Sequence, residues 1–131
     1  MGRRVAEARV ARLATVDAEG RPHLVPICFA LDGDTLYSAV DAKPKRTSSL
    51  KRLENVRANP RVAVLVDHYE NDWSQLWWVR LDGRARVVED DLERMRALGL
   101  LQAKYEQYRV EPPEGAVLAI AAERWRGWTA L

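Results

Sequence analysis

The chain holds one cysteine, Cys28, and only two histidines, His23 and His68. A single thiol excludes an internal disulfide framework and a cysteine-based zinc site; in its apolar run Cys28 reads as a small buried hydrophobe. His68 stands beside Glu70 and Asp72, but the second histidine is not at ligand spacing, so no metal is expected. Apolar runs stay well short of the roughly 18 residues a membrane span needs, and Met1-Gly-Arg-Arg lacks the apolar core of a signal peptide. The expectation is a cytoplasmic protein with no membrane partner. Gly33 and Gly83 stand alone rather than in a nucleotide fingerprint, and no Ser–His–Asp arrangement is found.

What is present fits one globular domain over residues 1–131: 47% hydrophobic and 31% charged residues, with a net charge of +2. That charge is too small to demand nucleic acid, and none is expected as a partner. Strand patterns run over 10–16, 22–31, 35–40, 61–67, 76–88 and from 116 toward Trp128. Asp17–Gly20 and Asp32-Gly33-Asp34 read as turns. Both faces of 22–31 are apolar, which predicts cover on both sides. Gly83 inside a long strand predicts a bulge. Leu92, Met95, Leu98, Leu101, Tyr105 and Tyr108 recur at helical spacing. Six strands and short helices predict a closed or partly closed antiparallel barrel.

Positive charge is concentrated in one place. From Lys43 to Arg61 seven basic residues face one acid, Glu54, so the remainder is slightly acidic. Pro44, Thr47, Ser48 and Ser49 supply helix-start signals, Leu50, Leu53 and Val56 an apolar face, and Asn59-Pro60 a stop. A basic helix start following a strand is a place where proteins hold phosphate; a solvated basic face is the competing reading. Lys51 and Arg57 are expected to face solvent.

Leu13-Ala-Thr-Val-Asp-Ala-Glu-Gly-Arg-Pro-His-Leu-Val-Pro26, Asn59-Pro-Arg-Val-Ala-Val-Leu-Val66 and Leu81-Asp-Gly-Arg-Ala-Arg-Val-Val88 resemble, in order, three signatures of the pyridoxamine 5′-phosphate oxidase-like split β-barrels. Asp41–Thr47, Val66–Trp73 and Trp125-Arg-Gly-Trp128 are similar to a branch identified as coenzyme F420-dependent oxidoreductases. The resemblance implies a mainly β fold, a six-stranded antiparallel split β-barrel with two or three flanking helices. It implies a homodimer with cofactor sites at the interface, and hydride transfer between F420 and a small organic acceptor. The alternatives are an FMN-binding oxidase or reductase of the same fold, or a non-catalytic flavin or deazaflavin carrier.

On this resemblance Lys43, Lys45, Arg46, Thr47 and Arg52 are candidates for the cofactor phosphate. Val25 and Pro26, with Leu24, would line the ring pocket, and Ser38 and Ala39 would offer backbone amides. Trp77 and Trp78 face opposite sides of a strand, so at most one, here Trp78, touches a given ligand. Trp128, with Trp125 and Arg126, would close the site or plug the barrel end. No catalytic side chain is assigned, since the cofactor carries the chemistry.

Overall fold

Alternating apolar residues build a curled antiparallel sheet, and two layers of helix cover parts of it. The computed structural model describes residues 2–40 and 47–130, without the side chains of residues 47–50. Its strands are β1 (Ala11–Val16), β2 (Pro22–Ile27), β3 (Ala30–Asp32), β4 (Thr35–Ala39), β5 (Arg61–His68), β6 (Trp77–Val87) and β7 (Val117–Thr129). They form one sheet in the order β2-β1-β5-β6-β7-β4-β3. The helices described are α1 (Gly2–Glu7), α2 (Thr47–Ala58), α3 (Asp91–Lys104) and α4 (Glu106–Val110), with a 3-10 turn at Trp73–Gln75.

Seven strands replace the expected six, because the segment 22–31 is two strands. β2 and β3 lie at opposite edges of the sheet, yet only Cys28 and Phe29 separate them in sequence. The chain turns a corner there, which brings the two edges together and curls the sheet. Four α-helices are described where two or three were expected, because the helical pattern from Leu92 to Tyr108 breaks at Tyr105 into α3 and α4.

The turns follow local chemistry. Asp17 accepts hydrogen bonds from the amides of Glu19 and Arg21, each at 2.9 Å. Gly20 and Gly33 take φ of 84° and 60°, the left-handed region open to glycine. The β6–β7 register shifts between Asp82 and Gly83, the expected bulge. A Cβ at Gly83 would stand 2.2 Å from the Ala121 carbonyl oxygen, so only glycine fits.

Inside the curl, Leu13, Val64, Leu81, Leu118 and Ile120 pack with Val5 of α1 and Val56 of α2. On the other face of the β3, β4 and β7 region, α3 and the residue after it bring Ala97, Leu101 and Tyr105 against Tyr37, Val117, Ala119 and Ala30. Two apolar expectations are corrected. Leu92 and Met95 of α3 are 73% and 69% exposed, because the helix buries only the stripe that meets the sheet. Leu24 is 68% exposed and Pro26 is exposed, so β2 is covered on one side alone.

Candidate functional site

β4 ends at Ala39 and α2 begins at Thr47, so the basic segment lies in the chain between the end of an inner strand and a helix start. Lys43, Lys45 and Arg46 lie outside the described residues; Thr47 is the first residue of α2, and its side chain is not described. Arg52 is described. It is only 9% exposed, and its Nε makes no hydrogen bond. Burial pulls its guanidinium pKa below the ordinary value, partly offset by Tyr108. Among the described residues no carboxylate forms a salt bridge with it. A buried cation with no carboxylate partner among those residues is costly, and an anion seated against it would remove that cost.

One turn further along α2, Asn55 is 1% exposed and donates to Thr15 Oγ1 at 3.0 Å, anchoring the helix to the inner face of β1. Directly opposite Thr15 on β2 stands His23, whose Nδ1 is buried without a partner. Lys51, expected to face solvent, reaches toward Asp17 Oδ2 at 3.8 Å, whereas Arg57 is exposed. Nothing in the spacing of α2 marked Asn55 as a polar anchor; an amide among apolar helix positions was the available signal.

The remaining candidates divide between the two faces of the sheet. Val25 packs against the core, while Pro26 lies on the opposite face. Ser38 is fully buried and its hydroxyl donates to the Cys28 carbonyl at 2.8 Å; Ala39, on the other face, packs against the cluster of Ala30, Leu101 and Tyr105. Cys28 itself is half-buried. Trp77 packs on the core, stacked with His68 at 6.2 Å and capped by Arg4 at 5.7 Å, and His68 pairs with Glu70. Trp78 pairs in register with Trp128. Trp125 is opposite Leu81 and so lies on the other face from Trp128.

The corner at Cys28-Phe29 is bolted by the end of α3. Tyr105 Oη accepts from the Phe29 amide at 3.1 Å and donates to the Arg9 carbonyl at 2.9 Å. Lys104 Nζ donates to the Phe29 carbonyl at 2.9 Å and sits 3.7 Å from the Phe29 ring centroid. These residues escaped the sequence reading because Tyr105 fits the apolar face of a helix and Lys104 an ordinary basic helix end.

Among known proteins, 56 residues are 38% identical to the 5a,11a-dehydrotetracycline/5a,11a-dehydrooxytetracycline reductase of Streptomyces rimosus, over 43% of this chain and 38% of that protein. The fold is similar to that of an FAD-binding protein from Mesorhizobium loti, with a TM-score of 0.73 and 27% identity over 96% of this chain and 89% of that one. It is also similar to the heme storage protein HutZ of Vibrio cholerae, with a TM-score of 0.74 and 18% identity over 98% and 90% of the two chains. The sequence profile of the pyridoxamine 5′-phosphate oxidase family matches residues 2–129, and the chain belongs to that family.

Proposed function

We propose that the protein is an oxidoreductase that binds coenzyme F420 and passes a hydride between it and a small organic acceptor. The observation that carries the cofactor assignment is Arg52: a guanidinium nine-tenths buried, with an orphaned Nε, at the helix that follows the basic segment. Its donors fit a phosphate, as do the amides that open a helix. Bound there, the deazaflavin supplies the hydride chemistry. The chain's part is to hold the anionic tail at Arg52, to keep α2 seated through Asn55 and Thr15, and to exclude water with the apolar sheet.

The similarity of Asp41–Thr47 and Trp125–Trp128 to the F420 branch favours the deazaflavin over FMN. A homodimer is supported by the open sheet face. Residues paired in register put Leu24, Pro26, Leu65, Trp78 and Trp128 on one side, and Leu24 and Trp128 are 68% and 47% exposed. The likeness to a heme storage protein favours, as second reading, a carrier that binds the cofactor without turnover.

Titration with F420 and with FMN, followed by fluorescence and visible absorbance, tests the assignment. Tight binding of F420 is expected. FMN binding alone would transfer the assignment to the flavin, and no binding of either would end the oxidoreductase reading. Cofactor binding without reduction of any acceptor would favour the carrier.

A further inference from the structure

Lys104 and Arg9 bring two cations to one tyrosine ring. Lys104 Nζ lies 5.3 Å and Arg9 Cζ 4.7 Å from the Tyr105 ring centroid. Among the described residues neither cation forms a salt bridge with a carboxylate. The amine is half-buried against Phe29, while Arg9 is exposed beside it. Facing the amine are Arg9 ahead of β1, Cys28 and Phe29 at the corner, and Tyr105 after α3, with Tyr108 of α4 edge-on to Tyr105 at 5.6 Å.

We propose that Lys104 is a site of covalent acylation by acyl phosphates, with Arg9 receiving the phosphate of the donor. The exposed guanidinium attracts a dianionic group, and the hydrogen bond from Nζ to the Phe29 carbonyl, at 2.9 Å, holds the neighbouring amine in one place. The neutral amine attacks the carbonyl carbon of the acyl phosphate. A carbon–nitrogen bond forms, the carbon–oxygen bond to phosphate breaks, inorganic phosphate leaves with the bonding pair, and the amine's proton passes to solvent. Burial, reinforced by the charge of Arg9, pulls the Lys104 ammonium down to about 8, so a substantial share of the amine is neutral near physiological pH. The product amide carries no charge, which removes the cation from the Phe29 ring. This inference is independent of the cofactor assignment.

The chain has four lysines, Lys43, Lys45, Lys51 and Lys104, so each site can be followed separately. The whole protein is treated with acetyl phosphate over a range of pH, cleaved with a protease that does not act at lysine, and quantified by mass spectrometry. At near-neutral pH, Lys104 is expected to react about tenfold faster than Lys51, with a rate midpoint near the depressed pKa. Arg9→Ala is expected to slow acetylation by acetyl phosphate several-fold. In alkaline buffer, where the amine is already neutral, it should leave reaction with an uncharged acetyl ester unchanged. Equal rates at Lys104 and Lys51, or a midpoint at the ordinary lysine value, would overturn the proposal; equal slowing toward both reagents would overturn the role of Arg9.

Discussion

The hydroxyl of Tyr105 joins the Phe29 amide, at 3.1 Å, to the Arg9 carbonyl, at 2.9 Å. Both groups belong to the opposite end of the chain, and neither bond survives loss of the oxygen. Tyr105→Phe therefore orphans a buried amide and is expected to destabilise the fold by roughly 1–3 kcal/mol in urea denaturation. A change within error would show that the corner is held by packing alone.

Gly83 offers a second test. A methyl group there meets the Ala121 carbonyl oxygen at 2.2 Å, and two paired strands must part to admit it. Gly83→Ala is expected to cost about 3 kcal/mol or to prevent folding. By contrast Gly99→Ala has open space on a helix and is expected to stabilise by a few tenths to about 1 kcal/mol. The two variants, compared in one denaturation series, should move in opposite directions.

Acid should act through Glu93. Its carboxylate accepts from Arg86 and from Tyr37 Oη at 2.8 Å, and these bonds hold its pKa near 2 against an ordinary 4.5. A depressed pKa means the contribution is full above the unfolded value and is lost as pH falls from 4.5 toward about 2. Asp17, held near 2 mainly by the amide of Arg21, loses its contribution in the same direction. Glu93→Gln should flatten the decline of the urea midpoint across that window; a decline parallel to the unsubstituted protein would remove Glu93 from the account.

Arg52 separates binding from stability. Arg52→Met removes a buried charge that lacks a carboxylate partner among the described residues, so the denaturation midpoint is expected to hold or rise. Cofactor affinity is expected to fall roughly ten- to a hundredfold, the worth of one hydrogen bond to a charged group. Unchanged affinity would return the phosphate to Lys43, Lys45 or Arg46.

Self-association is tested on the open sheet face. Leu24 and Leu65 are exposed there on separate strands. Charge placed at both, Leu24→Asp with Leu65→Asp, is expected to shift sedimentation from dimer to monomer. A monomeric parent protein would dispose of the dimer at once.

Much of this architecture was legible because its signals are local. Asp17, Gly20 and Gly33 mark turns through their own backbone preferences, and Asn59-Pro60 follows α2, which ends at Ala58. Gly83 marks a bulge because nothing larger fits. The break between β2 and β3 was not legible, since Cys28-Phe29-Ala30 is an unbroken apolar run without glycine or proline. What turns the chain there is hydrogen bonding from Tyr105, 76 residues further on. The candidate site divides the same way. The basic helix start could be read from composition, whereas burial of Arg52 and the pairing of Lys104 with the corner depend on which elements meet in space.

The strand order has a consequence for assembly during synthesis. Among the described strands β4 pairs with β3 and with β7, and β7 comes last of these in the chain. The β3–β4 hairpin therefore waits, with one ladder unpaired, until residues 117–121 have emerged. Until then the apolar side of Leu36 and Phe29 lacks Leu118 and Ile120, so a chain stalled before β7 presents a sticky edge rather than a smaller working domain.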